Sequence, residues 1–180
     1  MKSIEIECSR FELVEGDITQ QDTEAIVNAA NKRLAPGGGV AGAIHRAAGP
    51  ELYEECKGLG GCETGKAKVT KGHNLKADHV IHTVGPVFSG TEQDELDLQR
   101  SYRNSLEVAS VEDIQSVSFP AISTGAFGYP TKEAAYIALG EIKEFLEEND
   151  IPKLVRMVLY SPEDYRIHEE VFDEIFRKPV

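Results

Sequence analysis

The sequence predicts an α/β fold: a largely parallel sheet covered by helices on both faces, in three layers. Short β-branched apolar runs alternate with helical segments through most of the chain, the pattern of parallel strands joined by helical crossovers. The glycine-rich and polar clusters follow strands, and in such folds ligands bind outside the carboxyl ends of the strands. No internal repeat, linker or low-complexity tail interrupts the 180 residues, so one domain spanning 1–180 is expected.

The elements follow in order. Residues 4–14 alternate apolar and polar and read as one or two strands. Gly16-Asp17-Ile18-Thr19 is a turn, and residues 25–29 form the next strand. Asparagines, a proline and the run Gly37, Gly38, Gly39 come next, then a helix over 40–48. Gly49 and Pro50 punctuate that helix, and Pro50 suits the first turn of a second helix through Cys56. Residues 58–65 read as a surface loop. Residues 66–70 and 79–84 read as strands, 85–94 as a loop, and 96–108 as a helix on the spacing of Leu96, Tyr102 and Leu106. Residues 116–122 form a buried strand that runs into a second glycine loop, Ser123 to Gly128. Thr131 is expected as the N-cap of a helix reaching about Glu148. The last strand is 154–159. Ser161, Pro162 and Glu163 open a terminal helix as N-cap, first-turn proline and first-turn acid.

Composition narrows the function. A net charge of −12 with scattered Lys and Arg residues disfavours binding to a nucleic-acid backbone. A small anion remains an acceptable ligand, because backbone amides and helix ends supply local positive potential whatever the net charge. No apolar run approaches the ~20 residues that cross a bilayer, and a cytoplasmic location is expected. Cys8, Cys56 and Cys62 are odd in number and irregular in spacing. That argues against a disulfide framework and against zinc, so they read as plain thiols. No metal and no cofactor is expected.

A strand, a glycine loop and a helix N-terminus in succession make an anion site, since unpaired N–H groups point at whatever sits there. The loop before residue 40 and the Ser123–Gly128 loop both have this form, and two such loops are expected to face one ligand. The glycine run is not a P-loop, and its spacing does not match Gly-x-Gly-x-x-Gly. Asn28 and Asn31 stand where strand becomes loop; their amides can read hydroxyls or satisfy the turn. Asp17 serves either as a turn acid or as a ligand contact. His45 reads as a packed helix histidine near the glycine loop. His79 and His82 lie three apart in a strand and face opposite sides. Phe127 and Tyr160 lie beside loops, as core residues or as stacking platforms.

Several motifs at matching spacing then carry a resemblance: Gly-Asp-Ile-Thr (16–19), Ile-Val-Asn-Ala-Ala-Asn (26–31), Gly-Gly-Gly-Val (37–40), Gly-Ala-Ile-His-Arg-Ala-Ala-Gly-Pro (42–50), Cys-Glu-Thr-Gly-Lys-Ala (62–67), Val-Ile-His-Thr-Val-Gly-Pro (80–86) and Phe-Pro-Ala-Ile-Ser-Thr-Gly-Ala-Phe-Gly-Tyr-Pro (119–130). From about Phe11 onward the chain resembles the macrodomain family, in particular its MacroD-type ADP-ribose hydrolases. The resemblance implies an α/β/α sandwich with a mostly parallel mixed central sheet that binds ADP-ribose in a cleft. It places Asp17 and the Ile18 amide on the adenine. It places Gly38, Gly39 and Val40 with Ser123, Thr124, Gly125, Ala126 and Phe127 around the diphosphate. It puts Asn31 on the distal ribose and Tyr160 beside the adenine.

Two positions depart from the family pattern. MacroD-type enzymes carry an Asp directly after Gly-Gly-Gly-Val, assigned to the attacking water; this chain has Ala41, and a methyl group neither takes a proton nor orients water. Phe127 stands where family members commonly have Tyr. The resemblance implies a protein that binds ADP-ribose or an ADP-ribosylated protein, and a monomer is expected. The activity it implies is hydrolysis of a mono-ADP-ribosyl ester on an acidic side chain, or of O-acetyl-ADP-ribose. Asn31 would orient the sugar, and the loop ending at Ala41 would shape the water site. The alternatives are a reader module without turnover and a phosphatase acting on ADP-ribose 1″-phosphate.

Overall fold

The structure is a computed structural model, and it describes residues 1–177. Seven strands form one mixed sheet: β1 (Lys2–Ile6), β2 (Ser9–Glu15), β3 (Ala25–Ala29), β4 (Ala67–Lys71), β5 (His79–Thr83), β6 (Ser116–Phe119) and β7 (Leu154–Leu159). Their order across the sheet is β1-β2-β7-β6-β3-β5-β4. The four inner pairings are parallel, and the two edge strands run antiparallel to their neighbours. Residues 2–15 are thus two strands of a hairpin, turning at Glu7 in the left-handed region (φ 52).

Five helices cover the sheet: α1 (Gly39–Ala48), α2 (Pro50–Lys57), α3 (Glu92–Val111), α4 (Thr131–Glu148) and α5 (Pro162–Phe176). The alternation of side chains along each strand builds two cores. Val27 and Ile81 point into a core completed by Leu98, Leu106, Leu139 and Phe172 of α3, α4 and α5. Ile26 and Val80 point the other way, into a core with Ile44, Leu52 and Cys56 of α1 and α2. The helices therefore lie on both faces, in the three layers expected.

Local chemistry sets the helix starts, with two departures from expectation. Ser161 caps α5 by accepting from the Asp164 amide at 3.1 Å, with Pro162 at the first position, as expected. Helix α4 has Pro130 at the capping position, and Thr131 is its first residue rather than its cap. Proline holds φ near −65° and cannot continue a preceding turn, so it sets the boundary itself. Helix α3 begins four residues earlier than apolar spacing suggests. The Asp94 carboxylate accepts from the Ser89, Gly90 and Thr91 amides and so fixes its first turn. Residues 58–65 are not simply surface: Cys62 is buried, its amide donates to the Lys32 carbonyl at 2.8 Å, and Thr64 bridges Val84.

Among the described residues, no helix is long and apolar enough to cross a membrane.

Candidate functional site

The carboxyl ends of the inner parallel strands β7, β6, β3 and β5 lie side by side, and their loops rise from one edge of the sheet. The first loop leaves β3 and enters α1. Leu34 adopts the left-handed region (φ 56). Asn31 holds the turn: its Oδ1 accepts from the Arg33 and Ala35 amides at 3.1 and 3.0 Å, and its Nδ2 donates to the Ala35 carbonyl at 2.9 Å. The turn reading of Asn31 is thus seen directly. It ties the loop, and one Nδ2 hydrogen remains for a ligand. Gly38 is the N-cap of α1 and supplies no side-chain cap, and the first turn holds no acid. The leading N–H groups of a helix have no partners within it, so the start of α1 is an open anion seat. Gly42 is needed one turn on, because a Cβ there would overlap the Gly37 carbonyl oxygen.

The second loop leaves β6. Ser123 sits in the left-handed region (φ 68), and its carbonyl accepts from the Tyr129 amide at 2.9 Å. Gly128 donates to Gly125 at 3.0 Å, and the Thr124 hydroxyl donates to the Ala121 carbonyl at 2.9 Å. Among the described residues, no protein group accepts from the amides of Thr124, Gly125, Ala126 or Phe127. A ligand finds them free. Helix α3 anchors this loop from below. The fully buried Tyr102 hydroxyl donates to the Pro120 carbonyl at 3.3 Å and accepts from the Ile122 amide at 3.0 Å. Burial raises its pKa far above the ordinary tyrosine range, so it stays protonated as a fixed strut.

Between the loops runs a cleft in two connected parts. One part, about 550 Å³, is lined by Asp17, Ile18, Arg46, Thr124 and Tyr160. The other, about 290 Å³, is lined by Asn31, Gly38, Ala41, Ser123, Ala126 and Phe127. Gly39, Val40, Ala121 and Gly125 line both and join them. Every residue that the resemblance assigned to catalysis or ligand binding therefore lines this one cleft, whereas Asn28, the other asparagine that could have read hydroxyls, does not. Asp17 is exposed, and its carboxylate accepts from the Thr19 amide and hydroxyl at 2.9 and 2.7 Å. Tyr160 is 85% exposed and open to stacking. The Ala41 methyl is buried against the cleft at the third position of α1.

Other candidates turn out to be structural. His82 is buried under the sheet face covered by α1 and α2. Asn28 Nδ2 lies 3.1 Å from its Nδ1, and Thr70 Oγ1 lies 2.9 Å from its Nε2. This chain ties β3, β5 and β4 together just before the first loop. Burial pushes the His82 pKa down to about 3, so the ring is neutral. His45 is buried and packs edge-on to Tyr53, with its pKa lowered by lost hydration. Burial pushes the Cys56 thiol up to about 11 and raises that of Cys62, as expected of plain thiols. Among the described residues, no group of three or more His, Cys, Asp or Glu is placed to hold a metal ion.

Sequence reasoning passed over Gly85, Ala121, Ile122 and Arg46, all of which line the cleft. Gly85 and Ile122 stand in the loops that leave the carboxyl ends of β5 and β6, and position after a parallel strand was the available signal. A Cβ on Gly85 would overlap the Ser123 hydroxyl.

Residues 27–138 match the Macro domain family. The chain belongs to that family. A Methanosarcina mazei Macro domain-containing protein is 50% identical over 96% of this chain and 92% of its own. The O-acetyl-ADP-ribose deacetylase of Salmonella newport is 46% identical over 92% of this chain and 96% of its own. The ADP-ribose glycohydrolase MACROD2 of Xenopus laevis is 47% identical over 95% of this macrodomain, which spans 42% of that longer protein. Among solved structures, an Oceanobacillus iheyensis macrodomain variant with ADPR superposes with a TM-score of 0.94. It is 44% identical, covering 98% of this chain and 100% of that one.

Proposed function

We propose that this macrodomain binds ADP-ribose in the cleft and hydrolyses an ADP-ribose derivative. The observation that carries the reading is the pair of amide-lined loops facing each other, with Asp17 at one end of the cleft and Asn31 at the other. A diphosphate suits the middle, where the α1 N-terminus and the 124–127 amides supply positive potential in a chain of net charge −12. Asp17 offers an acceptor for an adenine amino group, and Tyr160 a face for the ring. The remaining Asn31 donor is positioned for the distal ribose. The names of the relatives support hydrolysis, and the solved neighbour with ADPR supports the ligand.

The substrate is an ester on the distal ribose, either a protein acidic side chain or an acetyl group. Water supplies a hydroxyl to one fragment and a proton to the other, giving a carboxylic acid and a free sugar hydroxyl. Ala41 removes the family's general base, which is worth roughly 10²–10⁴-fold in rate. The substrate's own diphosphate, held beside the first loop, takes the water's proton instead. Three free cysteines suit a reducing compartment such as the cytoplasm.

Ala41 also favours a second reading, a reader of ADP-ribosylated proteins without turnover. Calorimetric titration with ADP-ribose, run beside a time course of release from a Glu-linked mono-ADP-ribosylated protein, separates the two. Binding with release well above the buffer rate supports the hydrolase. Binding with release at the buffer rate leaves a reader, and no binding sinks both.

A further inference from the structure

A second cavity of about 400 Å³ opens from the Asn31 end of the cleft. Asn31, Gly85 and Phe127 line both spaces, so the cavity continues the cleft past the distal-ribose position. Its own walls are Lys32, Thr64 and the segment Val84-Gly85-Pro86-Val87, with Asp94 and Asp97. It is far larger than an acetyl group needs; that group displaces roughly two waters, or about 60 Å³ at ~30 Å³ each.

Charge in this cavity is uneven. Asp94 is committed to the Ser89, Gly90 and Thr91 amides and the Ser89 hydroxyl. Asp97 accepts from Gln93 Nε2 at 2.9 Å and stands 3.9 Å from the Arg100 guanidinium. Lys32 differs. Its backbone is pinned, because Cys62 donates to its carbonyl at 2.8 Å and Gly61 passes so close that a Cβ would stand 2.8 Å from that oxygen. Among the described residues, its ammonium has no acid partner and no hydrogen bond. It is a cation on a fixed base, at the mouth where a group attached to the distal ribose must emerge. Val87, 63% exposed, adds an apolar side chain to the rim of the cavity.

We propose that this cavity is the acceptor-side subsite. It takes the aspartyl or glutamyl residue of an ADP-ribosylated protein with its flanking backbone, and Lys32 faces the ester carbonyl and the carboxylate it becomes. The inference rests on the ADP-ribose reading of the adjoining cleft. Hydrolysis turns R–CO–O–ribose and water into R–COOH and a ribose hydroxyl, and the acid then gives its proton to solvent. The product anion therefore forms beside an unpaired cation.

The test compares the whole chain with its Lys32→Glu and Val87→Glu variants, both changed at exposed positions. Three readouts are taken: the KM for a Glu-linked ADP-ribosyl peptide, kcat/KM for O-acetyl-ADP-ribose, and the Kd for ADP-ribose. Both variants are expected to raise the peptide KM by ~5–10-fold and to leave the ADP-ribose Kd within twofold of wild type. Val87→Glu, away from the ester, should also leave kcat/KM for O-acetyl-ADP-ribose within twofold, whereas Lys32→Glu should lower it, because the acetyl ester presents the same carbonyl. If wild type binds ADP-ribose without turnover, the same peptide is used to displace labelled ADP-ribose. Wild type is then expected to prefer the peptide over free ADP-ribose, and Lys32→Glu to lose that preference. An equal effect of Val87→Glu on both substrates, or no effect of either variant on the peptide, would overturn the subsite while the ADP-ribose reading stands. Absence of ADP-ribose binding in wild type would remove both together.

Discussion

Gly85, at the exit of β5, packs against the left-handed Ser123 at the exit of β6, so closely that a methyl group on Gly85 would overlap the serine hydroxyl and the Ile122 side chain. The two strands are not adjacent in the sheet; β3 lies between them. The contact therefore sets how far the second loop leans over the cleft. Gly85→Ala forces that loop outward. The expected result is at least tenfold weaker ADP-ribose binding by calorimetry, with a stability loss of ~1–3 kcal/mol from overpacking. Binding within twofold of wild type would show that the loop adjusts without consequence for the ligand.

Ala41→Asp restores an acid at the third position of α1. That position faces the helix N-terminus, which favours a negative charge, and the wild-type first turn holds no acid to compete. The variant is expected to fold as stably as wild type and to release ADP-ribose from a Glu-linked protein at least ~10-fold faster, since a general base contributes 10²–10⁴-fold. Its ADP-ribose Kd should stay within about threefold. An unchanged rate would mean that the water sits elsewhere and the methyl is not what limits turnover.

The thiols make a simpler prediction. Cys8 is exposed, whereas Cys56 and Cys62 are buried with raised pKa values, and alkylation needs an accessible thiolate. Brief treatment of the native chain with iodoacetamide at pH 7.5, read by peptide mass spectrometry, should label Cys8 and leave the other two. Equal labelling of Cys62 would show that the segment joining α2 to β4 opens readily.

The cleft was legible in the sequence because its chemistry is local. Glycines, a helix start and a preceding β-branched run mark each loop within a dozen residues, and Asp17, Asn31 and Ser123 stand at those marks. What stayed illegible depends on partners far along the chain. Asn28 was equally readable as a ligand contact and as a turn residue; only the β3–β5 register, which sets it beside His82, resolves it as a strut. The segment before β4 looked like solvent-exposed chain, since nothing local announces that Gly61 and Cys62 clasp the Lys32 carbonyl. The early start of α3 was available in principle. Ser89, Gly90, Thr91 and Asp94 form a capping pattern, but the apolar spacing that begins at Leu96 drew the boundary too late.

Asp17 has two duties that one substitution can separate. It caps the short 3-10 turn Ile18–Gln20 through Thr19 and faces the cleft beside Ile18. Asn keeps an oxygen for the cap but replaces the other carboxylate oxygen with a donor. Asp17→Asn is expected to hold the melting temperature within about 2 °C, since the cap is worth ~1 kcal/mol and is largely kept. Affinity for ADP-ribose should fall ~5–10-fold, because the amide presents a donor to the adenine amino group. Affinity for ribose 5-phosphate, which has no adenine, should not change. A parallel loss on both ligands would place Asp17 outside the adenine contact.

Acid should weaken the fold through its buried histidines. Desolvation lowers the pKa of His82 to about 3, helped by the nearby His45, and lowers those of His45 and His168 as well. These rings stay neutral in the folded chain while the unfolded chain protonates near the ordinary value of 6.5. Below that pH the unfolded state binds more protons, so stability rises with pH. The contribution is fully present above about pH 6.5 and is lost as pH falls toward the folded values. For His82 alone the slope is ~1.4 kcal/mol per pH unit through that window. Urea unfolding at pH 7, 6 and 5 should show falling midpoints. His82→Gln should be less stable than wild type at pH 7, since the Asn28 and Thr70 bonds are disturbed. Its deficit should shrink by about that slope as the pH drops, because glutamine has no proton to gain. A constant deficit from pH 7 to 5 would mean that His82 takes up its proton in the folded chain as readily as in the unfolded one, and the strut beneath the first loop would then tolerate a charged ring.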